Sequence, residues 1–411
     1  MRPCLRRSWK RRILIVYPGL LLLCGGVLAG QANPASPAAV YRPADPLNAA
    51  AFDHFYNLDY DRSIAEFEQI ERRHPGDFFA VNHLLVAVLF RELNRVGALN
   101  SGEYANDSFI NAPRRPVDPK AAQRVKDLVR QAEELESKRL ATNPNDVDAL
   151  YARGVTRAQY ATYVALLERA WIAALRNAVG ARRDHERVLE LDPNYTQAKL
   201  IVGAHNYVMG NLSWPVKVAV AMVGLSGSKE KGLQLLHEAA NGPGETAVDA
   251  KILLLVFLRR ERRYDEALQI VRTLIPAYPH NLLMALEEGN LLRVSGHNAE
   301  AAAVYRRVWQ AGREGHFEGL HYELAAVALG DLLASEKDYG GAAATYEQVG
   351  ELKDADSDLL QRANLGAGEM YDNLQKRDLA LKKYQAVVAA NGSTAFAETA
   401  RKCMNSPCRP E

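Results

Sequence analysis

Cysteine is scarce. Four occur in 411 residues, and Cys4 and Cys24 sit at the basic and apolar N-terminus. The remaining two, Cys403 and Cys408, are too few to staple a small domain and lack the two further ligands of a zinc site. They pair as a short C-terminal disulfide loop or stay as thiols on a tail. Catalytic signatures are missing as well. There is no HExxH and no GxSxG, and "GLSGSK" lacks the spacing of a phosphate loop. His316 and His321 stand five apart, a poor pair on a helix face. An excess of one charge is also absent, with 51 basic residues against 49 acidic. Six of the basic residues lie in Met1–Arg12, so the rest of the chain is slightly acidic, 45 against 49. That balance does not favour nucleic acid as a partner. Runs alternating apolar and polar at a period of two are lacking too, so no sheet competes with helices.

The N-terminus carries a targeting pattern. The basic Met1–Arg12 precedes an apolar stretch from Ile13 to Gly30, and Gly30-Gln31-Ala32 supplies small residues before Asn33. This is the layout of a cleaved signal peptide, with an uncleaved membrane anchor as the alternative. Residues 1–32 are read as that segment and 33–46, rich in Pro and Ala, as a linker.

From residue 47 to 392 the sequence is a series of helical hairpins. The clearest unit is "VDAKILLLVFLRRERRYDEALQIVRTLIPAYPHN", Val248 to Asn281. Ala267 permits close approach of its two helices, Leu255, Leu258, Val271 and Leu274 fill the contact, and Pro279 ends the second helix. The next units carry Gly289, Ala301, Tyr305 and Val308, then Gly330, Ala342, Tyr346 and Val349, then Gly368, Ala380, Tyr384 and Val387. Ala51, Ser63, Phe67 and Pro75 mark a first unit. This register resembles the tetratricopeptide repeat. The resemblance implies an all-α, right-handed superhelical solenoid of about seven to eight hairpins with a concave groove. The terminal "TAFAETARKCMN", within 393–411, reads as a cap helix. "RRERR" (Arg259–Arg263), "EELESK" and "LEEGN" read as solvated helix surface.

Two insertions interrupt the array, near 96–120 and 212–228. The second, around "NLSWPVKVAVAMVGLSGSKEKGL", is apolar and broken by Pro215. Together with Gly203, Gly224 to Gly227, Gly232, Leu233, Leu236 and Ala240, it is similar to the tetratricopeptide-repeat protein 39 family. That likeness covers Lys199 to Asn281 and implies an adaptor or scaffold role near a membrane. The export signal departs from that family. The inserted segment either lines the array or contacts a membrane or client through Trp214, Val220 and Met222.

The expected function is a non-enzymatic, exported bacterial scaffold holding a protein or peptide partner in its groove. No cofactor, metal or nucleic acid is called for. Candidate contacts on the first helices are Tyr160, Tyr163, Asn206, Tyr207 and Asn290; the aromatic face of Tyr160 and Tyr163 either binds a peptide or packs on the next hairpin. The alternative is a membrane-associated assembly or transport component contacting lipid or membrane protein through 214–225. The expected location is the periplasm or cell envelope, or the membrane if the N-terminal segment stays attached.

Overall fold

A computed structural model of the chain describes residues 41–111, 114–212 and 226–408. The leader, most of the linker and the apolar segment with Trp214, Val220 and Met222 lie outside the described residues.

Side-chain caps open nine of the helices. Asp59, Asp77, Asp118, Asp146, Ser228, Asn281, Asp338, Asp356 and Thr394 each accept a hydrogen bond from the first turn that follows. Such caps satisfy amide donors that have no partner within the helix. The described residues form seventeen α-helices and no strand. They pair as α1 (Asn48–Tyr56) with α2 (Tyr60–Arg73), α3 (Phe78–Arg95) with α4 (Pro119–Thr142), and α5 (Val147–Leu166) with α6 (Trp171–Leu191). Next come α7 (Lys199–Asn211) with α8 (Lys229–Ala240), α9 (Glu245–Arg260) with α10 (Tyr264–Ala277), and α11 (Leu282–Val294) with α12 (Asn298–Arg313). The last pairs are α13 (Glu323–Ser335) with α14 (Tyr339–Val349) and α15 (Ser357–Asn373) with α16 (Arg377–Ala390), followed by α17 (Ala395–Asn405). Each helix also packs on the next in sequence, so every hairpin touches its neighbours.

One turn recurs. Six of the eight first helices end with the residue two places on in a left-handed conformation: Leu58, Gly97, Arg262, Gly296, Lys337 and Gln375. The following amide closes back on the helix, as in Ala98 N to Leu93 O at 2.8 Å, His297 N to Leu292 O at 2.8 Å and Asp338 N to Leu333 O at 2.9 Å. This is a Schellman closure, which ties up carbonyls left free at a helix end. Among the described residues α5 is the exception, the first helix of an irregular hairpin; the position two places beyond α7 lies outside them.

The repeat register packs as its residue types demand. Ala267, Ala301, Ala342 and Ala380 are fully buried where paired helices touch. Gly289, Gly330 and Gly368 each face the tyrosine sixteen residues on. A methyl group on any of them would stand 2.5 Å from the ring of Tyr305, Tyr346 or Tyr384. Tyr346 is wedged from the other side by Gly366 of the next unit, where a methyl would stand 2.8 Å away. The tyrosine thus fills the seam between successive hairpins. In the irregular hairpin, a methyl on Gly232 would lie 2.5 Å from Tyr207 N, so α7 and α8 meet backbone to backbone.

Arg169 turns left-handed and Trp171 opens α6. Three readings of the sequence are corrected. Glu136 of "EELESK" is buried and accepts the Thr156 hydroxyl at 2.6 Å. Glu287 and Glu288 of "LEEGN" are buried as well, paired with Arg259 and with Arg272 and Arg307. Arg259 of "RRERR" is therefore a buried ion-pair partner rather than solvated surface. A 3.6-residue period places these groups near a helix face but does not say which neighbouring helix covers it.

The array also folds back on itself. Ring centroids of Tyr56 in α1 and Tyr278 lie 5.0 Å apart, Asn281 Nδ2 donates to Tyr56 O at 2.6 Å, and His280 N donates to Asn57 Oδ1 at 3.0 Å. The insertion after α3 reaches the same region, where Ser101 donates to Glu287 Oε2 at 2.6 Å. The first hairpin is thereby held against the fifth and sixth.

Candidate functional site

The fold-back encloses a cavity of about 80 Å³, room for a few waters or the end of one side chain. Helices from five consecutive hairpins supply its walls. Phe52, Phe55 and Tyr56 come from α1, Phe79, Asn82 and His83 from α3, and Tyr151 and Gln159 from α5. His185 comes from α6, Leu200 and Ile201 from α7, and Glu245, Thr246 and Asp249 from α9. Glu245 and Asp249 are one turn apart, which puts both carboxyls on one helix face.

Polar groups here are held against aromatic rings. The Tyr56 hydroxyl lies 2.8 Å from Asp249 Oδ1 and 3.0 Å from the Glu245 carbonyl. Asn82 donates to Ala152 O at 3.0 Å, and its Oδ1 lies 2.7 Å from the Thr156 hydroxyl oxygen. Phe52 meets Phe67 and His83 edge-on. Tyr151 meets His185 edge-on, its hydroxyl 3.3 Å from Thr246 Oγ1.

Burial sets the protonation of the site. Desolvation pushes Asp249 up to about 7, against the opposing Tyr56 hydrogen bond and with help from Glu245. Glu245 is also raised by burial, while its amide hydrogen bond and Arg42 oppose the shift. Burial lowers both His83 and His185 to about 4, so each imidazole is neutral at pH 7. His185 Nδ1 lies 2.9 Å from Ala181 O, which fixes the proton there and leaves Nε2 as an acceptor.

The residues singled out from sequence lie elsewhere. Tyr163 and Tyr207 are each 1% exposed and cannot present a ring to a partner. Tyr163 donates to Glu168 at 3.0 Å, and its ring stacks on the half-buried Tyr160. Tyr207 stacks on Phe257 at 3.8 Å and donates to Glu261. Asn206 bonds to Val202 O in its own helix, and Asn290 accepts from Tyr305 at 2.8 Å. None of the five lines the cavity. Cys403 and Cys408 are bonded to each other. What the sequence reading missed was the pair of acids at the start of α9, two carboxylates one turn apart on a helix that is otherwise mostly apolar.

No known family profile matches the chain, and no curated protein does. Solved structures do. PilF of Pseudomonas aeruginosa is 14% identical over 62% of this chain and 98% of its own, with a TM-score of 0.36. The Cut9–Hcn1 hetero-tetramer of the APC/C is 12% identical over 89% of this chain and 56% of that one, at 0.44. A tetratricopeptide repeat protein from Parabacteroides merdae is 14% identical over 77% and 97%, at 0.33. The fold assignment rests on the chain's own packing. It is an all-α, tetratricopeptide-like solenoid.

Proposed function

We propose that the chain is an exported, non-enzymatic scaffold that holds a protein or peptide partner along the inner faces of its first helices. What supports this is the make-up of the cavity. Its walls come from five hairpins, so only the stacked array creates it, and it combines aromatic faces with a few polar groups, the composition of binding pockets. Export is supported by the basic, apolar and small-residue segments of the leader and by the bonded Cys403–Cys408 pair, which suits an oxidising compartment such as the periplasm. The likeness to the tetratricopeptide-repeat protein 39 family adds no partner to this reading.

A photo-crosslinking residue placed at Gln159, on the cavity wall, tests it in cells. The control position is Gln385, exposed on α16. The scaffold reading expects a discrete protein adduct from position 159 and none from 385. Equal adducts from both, or none from 159, would contradict it.

A further inference from the structure

The cavity has an uneven hydrogen-bonding inventory. Its tyrosine hydroxyls have polar partners: Tyr56 faces Asp249 and the Glu245 carbonyl, and Tyr151 lies against Thr246. The amides of Gln159 and Gln197 also line the cavity, and buried ring nitrogens are left over. His185 is fully buried, and its Nε2 has no hydrogen-bond partner among the described residues. His83 Nδ1 has none either. Glu245 and Asp249 are half-buried residues whose carboxyls are surrounded by protein. Around these acceptors stand the rings of Phe52, Phe55, Phe79, Tyr56 and Tyr151. Aromatic faces carry negative potential and attract cations.

A ligand for this inventory must bring donors and positive charge, and must be narrow. A metal ion is a poor fit, since the described residues hold no group of three or more His, Cys, Asp or Glu placed to ligate one. Arg42 is the nearby cation of the chain, but its guanidinium is paired with Asp148 and lies over Phe79 and Tyr195. It is not among the lining residues. An ammonium head is compact and carries three donors on an apolar stem, which matches carboxylates and imidazole inside an aromatic wall.

We infer that the cavity receives a primary ammonium group on an alkyl stem, carried by a lysine of the protein partner or by a free alkylamine. For the lysine source this deepens the scaffold reading and rests on it. The cation favours the ionised carboxyls, so its entry displaces a proton from Asp249. The groups facing that carboxyl are Tyr56, Tyr151, Glu245 and Tyr278, with Arg42 acting on Glu245. Affinity therefore rises with pH as Asp249 ionises. With a midpoint near 7 the gain between pH 6 and pH 8 approaches about tenfold.

Titration calorimetry on the full chain tests this with n-butylammonium, its neutral isostere n-butanol, and a short capped peptide bearing one lysine. The expected result is binding of n-butylammonium, stronger at pH 8 than at pH 6, at least tenfold weaker in Asp249→Asn, and no comparable binding of n-butanol. Circular dichroism confirms that the isosteric variant is folded. Peptide binding at least as tight as the amine assigns the site to a partner's lysine; amine binding with the peptide excluded assigns it to a free alkylamine. Equal binding of n-butanol, or undiminished amine binding by folded Asp249→Asn, overturns the inference. If the amine fails while the Gln159 crosslink persists, the ammonium site falls and the scaffold stands. If the amine binds without any crosslink, the reverse holds.

Discussion

Single residues fix how tightly the hairpins can approach. Tyr346 sits between Gly330 and Gly366, and a methyl at either position enters its ring. Gly330→Ala is therefore expected to cost about 1–3 kcal/mol of unfolding free energy, the usual range for overpacking. Gly340→Ala, in α14, meets nothing closer than 3.9 Å and is expected to be neutral or to gain up to about 1 kcal/mol from helix propensity. Urea unfolding of both variants checks the contrast. Asp249 is the residue whose charge matters most. Its folded value, about 7, lies above its unfolded value of 3.8, so its contribution to stability is complete below pH 4 and lost as pH rises through 7. The buried His83, His185 and His205 work in the opposite sense, each lowered to about 4, with stability complete above pH 6.5 and lost on acidification through 4. Asp249→Asn removes one side of this balance. Its melting temperature relative to wild type should climb between pH 4 and pH 7 and then level off. A difference that stays flat with pH would show that Asp249 is ionised throughout.

At the scale of helices and turns, the recurring left-handed turn explains how one chain makes regular hairpins from varied sequence. Gly97 and Gly296 adopt it without cost, whereas Leu58, Arg262, Lys337 and Gln375 carry side chains at positive φ. A left-handed non-glycine residue costs roughly 1–2 kcal/mol, part of which glycine gives back as chain entropy. Lys337→Gly and Gln375→Gly should each raise stability by about 0.5–1 kcal/mol in denaturant unfolding. A loss would mean that the side chain contributes packing beyond its turn. The cap is held by another local device: Asp372 accepts from Arg377, Tyr384 and the amide of Cys408, which ties α17 and the disulfide to the last hairpin. Much of this level was legible beforehand. The Gly, Ala and Tyr register of the last units stands in the linear sequence because sixteen residues of two helices and a turn bring those positions together. The buried charges were not legible. Glu136 and Glu287 sit on faces that look polar in one helix and become interior only when Thr156, Arg259 and the insertion around Ser101 cover them.

The whole molecule depends on contacts that no repeat pattern encodes. Tyr56 and Asp249 lie 193 positions apart, and their meeting joins the first hairpin to the fifth and closes the cavity. Nothing in the 34-residue period announces that meeting, since each hairpin specifies its neighbours alone. Partner contacts were expected at Tyr160, Tyr163, Asn206, Tyr207 and Asn290, whereas the fold-back gathers Tyr56, His185, Glu245 and Asp249 around the cavity. The claim that this closure forms the site has a direct test: a double-mutant cycle of Tyr56→Phe and Asp249→Asn, read as unfolding free energy in urea. Groups in contact couple by about 0.5–3 kcal/mol, and groups apart add independently. A coupling within that range is the predicted result. Additivity of the two substitutions would contradict the closure, and with it the site.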